Sequence, residues 1–355
     1  KFPVDVEWAI EDDIIYITQS RPITTLSGKS QNTEDNIPQK GWVKYWEAPL
    51  IPMYPFFSLR LDNLNGYLSG FDYPYRQLLL TYSEGIMACY YHSEDLNRFE
   101  EFMSQYLQDI DNVKNFEKQI DKLLTQVDEI KKVTLFNTKK VLKLRKIYDE
   151  MHVCFGVIKV GGDVYINEDV FNKLLALRKR TEKVYFILEN VLREIANQIS
   201  SETNLKIEEA LAMNYEEVLE YFSTKTLASK ENLSKRKESL YLHITPNGFV
   251  ELSQKHAENI IDNSTEQLHS KIVRGQASHK GIVQARVVVI RDFSLQHTFP
   301  EGSVLVTGMT DPRFVPLMKK ASAIVTDAGG LLCHAAIVSR ELKIPCVVGT
   351  QNATQ

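Results

Sequence analysis

The sequence predicts a mixed fold in three unlike pieces: a short β-hairpin, a large helical middle and a compact α/β region at the C-terminal end. Three observations carry that prediction. Apolar and polar residues alternate over the first 26 residues, the pattern of a strand with one buried face. From Leu96 to Ile130 apolar residues recur at three- and four-residue intervals, the spacing of one helix stripe. Beyond residue 239 short β-branched runs alternate with helix patterns, the order of a sheet with crossover helices. The 355 residues are 43% apolar and 25% charged. That composition excludes a disordered tail, a collagen-like fibre and a disulfide-stapled miniprotein, and suffices for two or three cores. A net charge of −4 gives no electrostatic footprint for nucleic acid. No apolar run approaches the ~18 residues that a membrane-spanning helix needs. Cys89, Cys154, Cys333 and Cys346 form no C-x-x-C pair, so a reducing, cytoplasmic setting is expected.

Each element follows from local pattern. Val4-Asp5-Val6-Glu7-Trp8-Ala9 reads as a strand, residues 11–13 turn, and Ile14-Ile15-Tyr16-Ile17 returns. A lone hairpin is marginal in water, and the chain opens at Lys1 in mid-pattern, so residues 1–26 are expected to finish a sheet begun upstream in a longer protein. Residues 27–40 are polar, with Gly28 and Pro38, and read as a linker. Residues 41–238 form the helical piece. Between Trp42 and Tyr91 about a quarter of positions are aromatic, against 10% overall, and Pro49, Pro52, Pro55 and Pro74 break this part into short segments. Ser93 before Glu94 and Asp95 is an expected N-cap. Helical periodicity continues over about 138–155, 169–199 and 206–223, with Gly161-Gly162 read as a break between two helices. Residues 239–270 connect to the α/β region, 271–355, whose expected strands are Val287-Val288-Val289-Ile290, Val304-Leu305-Val306, Ala323-Ile324-Val325 and Cys346-Val347-Val348. Helices are expected near Pro312 and Cys333.

The chemistry concentrates in Thr326-Asp327-Ala328-Gly329-Gly330-Leu331-Leu332-Cys333-His334-Ala335-Ala336. A strand ends, two glycines turn the chain, and a helix opens at His334. Free amides and the positive dipole end there favour anions, and glycines let backbone approach a phosphate closely. The dipole also discourages the imidazolium, which leaves neutral imidazole as a nucleophile. A histidine at a helix start is otherwise a cap or a solvated side chain.

The stretch from Met309-Thr310-Asp311-Pro312 to Gly349 resembles the phosphohistidine, or swivelling, domain of the phosphoenolpyruvate-utilising enzymes, a family that includes phosphoenolpyruvate synthase, pyruvate phosphate dikinase and rifampin phosphotransferase. Upstream, Gly275, Ala277-Ser278, Gly281 and Ala285-Arg286-Val287 look like the start of the same domain. The resemblance implies that His334 is phosphorylated, that Thr326 supplies a hydroxyl near its ring and that Gly329-Gly330 form the phosphate turn. Cys333 is read either as a reactive thiol or as a small residue packed under the turn. Asp5-Val6-Glu7-Trp8 with Gln19-Ser20-Arg21-Pro22 resembles the last strands of the family's ATP-grasp domain. That likeness implies ATP and Mg²⁺ as cofactors, with Glu7 as metal ligand and Gln19 and Arg21 on phosphates. A fragment without the upstream part of that domain is expected to be inactive alone and to bind ATP weakly.

The long helical insertion between the two likenesses is similar to the arrangement in rifampin phosphotransferase, whose acceptor-binding domain lies between the same two domains. It implies a small-molecule acceptor, with Trp42, Trp46, Phe56 and Phe57 read as the wall of a pocket for an aromatic or apolar compound, or as ordinary core. His92, His152 and His243 lack ligand-spaced partners and are expected to be structural. The function so implied is a dikinase-type phosphotransferase that releases AMP and phosphate. Phosphoenolpyruvate synthase, with pyruvate as acceptor, and a non-catalytic binding relative are the alternatives.

Overall fold

The computed structural model describes residues 4–11, 14–22, 37–59, 61, 75–265, 272–291 and 299–354. Residues 27–36 of the expected linker, Tyr67, Phe71 and Tyr73 of the aromatic cluster, and residues 266–271 lie outside that set.

β1 (Val4–Glu11) and β2 (Ile14–Pro22) pair antiparallel, with a bulge between Glu7 and Trp8. β3 (Trp42–Ala48), α1 (Tyr54–Ser58), β4 (Leu78–Ser83) and β5 (Ile86–His92) follow. The helices are α2 (Ser93–Tyr106), α3 (Ile110–Ile130), α4 (Thr138–Val164), α5 (Glu168–Thr181), α6 (Val184–Glu202), α7 (Ile207–Ala210), α8 (Tyr215–Thr224) and α9 (Lys230–Glu238). β6 (Ser239–Thr245), β7 (Gly248–Glu251) and α10 (Gln254–Thr265) close this part.

The aromatic segment does more than precede the helices. It supplies three strands of an antiparallel sheet in the order β3-β5-β4-β6-β7, so the middle piece is helical with a sheet attached rather than purely helical. The sheet is two-faced, as alternation requires. Leu78 and Leu80 enter the core shared with the helices, whereas Leu79 joins Trp42, Tyr90 and Ala257 under α10. The stripe from Leu96 to Ile130 is divided between α2 and α3, and His92 rather than Ser93 is the N-cap of α2.

The two glycines of α4 do not separate helices. α4 runs through Gly161 and Gly162 and ends at Tyr165, which turns left-handed at φ 42°. The reason is packing. A Cβ on Gly161 would lie 2.8 Å from Leu107 and 2.9 Å from Leu174. Glycine there permits close approach at a cost of ~1 kcal/mol in helix propensity.

The C-terminal part comprises β8 (Gln276–His279), β9 (Val287–Ile290), β10 (Val304–Thr307), a 3-10 turn at Pro312–Phe314, α11 (Val315–Met318), β11 (Ala323–Thr326), α12 (His334–Leu342) and β12 (Cys346–Val348). Sheet order is β8-β12-β11-β10-β9, parallel from β9 to β12 with β8 antiparallel at one edge. The four expected strands are present and enclose a separate core around Leu305, Ile324 and Ala336. Among the described residues no helix is long and apolar enough to cross a membrane.

Candidate functional site

β11 delivers the chain at Thr326, and Gly329 turns it at φ 116°, a region open to glycine. A Cβ there would also meet Cys333 Sγ at 2.8 Å. Cys333 caps α12, its Sγ accepting from the Ala336 amide at 3.4 Å. Burial pushes its thiol up, so Cys333 is the packed residue under the turn and not a ready thiolate.

His334 is the first residue of α12 and is 6% exposed. His334 is not sealed in the core: it lines a cavity of about 460 Å³ and also a neighbouring groove. Nδ1 lies 2.9 Å from the hydroxyl of Thr310. With Nδ1–H donating to that oxygen, Nε2 holds the lone pair for attack. Burial holds the imidazole below its ordinary pKa, and Arg178 adds to this against the opposing pull of Glu182 and Asp311.

Thr326, the hydroxyl expected near the ring, is elsewhere. It is fully buried and donates to the Ala328 carbonyl at 2.8 Å, holding the turn rather than the imidazole. Thr310 takes the ring because it follows β10, the strand beside β11, and adjacent parallel strands open their C-terminal ends into one crevice. Sequence offered only a faint signal for it: a hydroxyl just past a strand end, before the Asp311-Pro312 helix start.

The cavity lies between the helical region and the C-terminal domain. Leu50, Tyr54, Phe155 and Tyr185 give it apolar walls, and His152, Glu189 and Arg193 give it polar points. Of the residues expected to line a pocket, Trp46 does so. Trp42 is instead in the core under α10, its indole N–H donating to the Pro38 carbonyl at 2.7 Å. Phe56 packs on Phe249, and Phe57 on Tyr148 and Tyr215, so both are core. His152 is buried; Nδ1 meets the Ser58 carbonyl at 2.5 Å and burial lowers its pKa to about 4.

Arg178 and Lys159 are among the cations that border the cavity. One Nη of Arg178, on α5, is buried without a hydrogen-bond partner. Lys159 Nζ donates to the Tyr45 carbonyl at 2.6 Å, and burial brings it down to about 8. Neither was singled out by sequence, since each sits within an ordinary helix pattern.

The ATP-grasp likeness maps onto β1 and β2, where the register sets Glu7 opposite Gln19 and Asp5 opposite Arg21. Among the described residues no group of three or more metal-ligating side chains gathers.

The domain is a small sheet with four parallel strands in which a histidine opens a helix after a double-glycine turn. Residues 299–355 match the family model of the PEP-utilising enzyme mobile domain. The chain is 46% identical over 112 residues to a probable phosphoenolpyruvate synthase of Methanothermobacter thermautotrophicus, covering 30% of the chain and 16% of that protein. It is 58% identical over 84 residues to phosphoenolpyruvate synthase of Pyrococcus furiosus, covering 24% and 10%. Against phosphoenolpyruvate synthase of Escherichia coli it is 53% identical over 91 residues, covering 25% and 12%. The chain thus spans less than a fifth of these relatives. Its C-terminal domain is similar to the mobile domain of the PEP-utilising enzymes.

Proposed function

We propose that His334 carries a phosphoryl group from ATP, bound by an ATP-grasp region that β1 and β2 complete, to a small-molecule acceptor held in the cavity of the helical region. Nε2 attacks the β-phosphorus of ATP, an N–P bond forms as the bond to the AMP oxygen breaks, and AMP leaves. Water then attacks the γ-phosphorus, the β–γ P–O bond breaks, and inorganic phosphate leaves with the water's protons passing to solvent. An acceptor hydroxyl oxygen then attacks the phosphorus bound to Nε2, the N–P bond breaks to return the lone pair to Nε2, and the hydroxyl proton passes to solvent. Thr310 holds the ring by Nδ1 throughout, and the Arg178 Nη that lacks a hydrogen-bond partner is the donor for phosphoryl oxygens.

One observation carries the reading: His334 borders a cavity of drug-like size whose walls are mostly apolar. That cavity suits a ring-bearing alcohol better than pyruvate, which has six heavy atoms and a carboxylate. The pyruvate reading rests on the relatives, whose matches cover 24 to 30% of the chain. A screen of hydroxylated apolar compounds and pyruvate, scored by AMP release from the full-length protein, separates them. His334→Ala should abolish labelling from β-³²P ATP, and label persisting on that variant would end the mechanism. Phosphoramidate, which phosphorylates histidine without an ATP site, should label His334 in this chain directly.

A further inference from the structure

We infer that Asp163 is the positioning residue by which the helical region grips the histidine-bearing turn and holds His334 over the cavity. The inference rests on the carrier reading and deepens it. Asp163 lies in the last turn of α4, and its Oδ1 accepts the Leu331 backbone N–H at 2.8 Å, across 168 residues of sequence. The other end of that residue is held from its own domain, where Arg340 Nη2 donates to the Leu331 carbonyl at 2.7 Å. Leu331 is therefore pinned between two bodies.

The surrounding fit is built for this contact. A Cβ on Gly330 would sit 2.3 Å from both carboxylate oxygens of Asp163, so only glycine leaves room. Next to it, Leu332 leaves the core of its own domain and is buried, 2% exposed, in the core cluster of the helical region. Its seat is Gly162, where a Cβ would fall 2.5 Å from Leu332 Cγ and Cδ1. The glycine pair of α4 thus has two clients, the helical core at Gly161 and the carrier turn at Gly162. Lys159, one turn earlier on α4, supplies a charge of opposite sign to the carboxylate. A carrier that serves a second station must break the Asp163 contact on leaving, because the turn it grips also carries the histidine.

Hydrogen–deuterium exchange on this chain reads the contact directly, since a backbone amide exchanges when its bond opens. Asp163→Leu should speed exchange of the Leu331 amide at least tenfold, with the amides of β10 and β11 unchanged. Asp163→Asn keeps an acceptor oxygen and should retain most of the protection. Gly162→Ala, which favours the helix but fills the Leu332 seat, should release the turn as Asp163→Leu does, and keeps the test open should that variant fold poorly. Unchanged exchange at Leu331 in both Asp163→Leu and Gly162→Ala would overturn the inference. So would equal loss of protection in Asp163→Asn, or loss spread through β10 and β11. Phosphoramidate separates the two levels: a labelled His334 with an indifferent Leu331 amide sinks the grip alone, and an unlabelled His334 with a responsive amide sinks the carrier reading alone.

Discussion

At the scale of single residues, the site depends on keeping one imidazole neutral, oriented and reachable. Burial disfavours its charged form, and the Thr310 hydroxyl engages Nδ1, which leaves Nε2 with the free lone pair. Because the folded pKa is depressed, the reactive neutral ring persists to lower pH than in free histidine. The pH profile of phosphoramidate labelling should have its midpoint below that of free histidine, and a midpoint at or above it contradicts this account. Glu182→Gln removes a carboxylate that favours the imidazolium and should lower the midpoint further; Arg178→Gln should raise it. Thr310→Val should slow labelling about tenfold, the equivalent of a hydrogen bond of ~1.4 kcal/mol lost from an oriented ring. Thr326→Val should instead loosen the turn, because its hydroxyl serves the Ala328 carbonyl.

Among the elements, α4 joins the helical core to the site. One side of it packs Leu144, Ile147 and Tyr148 completely, while Leu142 is 44% exposed. Leu144→Ala should cost about 3 kcal/mol in urea unfolding, by lost transfer and a residual cavity. Leu142→Ala should stay within about 0.5 kcal/mol. Equal costs for the two would mean the helix is rotated from the face described. The same helix shows where pattern reading fails. Gly161-Gly162 looks like a stop signal in isolation, since glycine is a poor helix former, yet both positions are chosen by what packs on them. The aromatic segment near β3 to β5 misleads for a related reason. Its prolines and short runs hide three strands whose remaining partner, β6, comes about 150 residues later.

For the molecule as a whole, two cores meet along a seam at the cavity that His334 borders. Gln351 contributes away from the turn, accepting from the Lys44 amide at 2.8 Å and donating to the Lys44 carbonyl at 3.3 Å. His152 and His243, in the helices and the sheet, are both pushed down to about 4 by burial. In the unfolded chain they titrate near 6.5. Below that pH the unfolded state takes up protons that the folded state refuses, so stability is full above about pH 6.5 and falls toward pH 4, by up to about 3 kcal/mol per histidine. Urea midpoints at pH 7 and 4.5 test this, and His152→Gln should flatten the decline; a level midpoint across that range would contradict it. Sequence alone determined the apolar stripe from Leu96 to Ile130, the four short strands of the C-terminal domain and the histidine at the mouth of α12, because periods of 3.6 and 2 and a strand–glycine–helix junction are written in neighbouring residues. Only the tertiary structure decided that Thr310 rather than Thr326 meets the ring, that Trp46 lines the cavity while Phe56 and Phe57 do not, and that Asp163 grips the turn. Those contacts join residues 24 to 168 positions apart, and they exist only because strands stack side by side and one core docks against another.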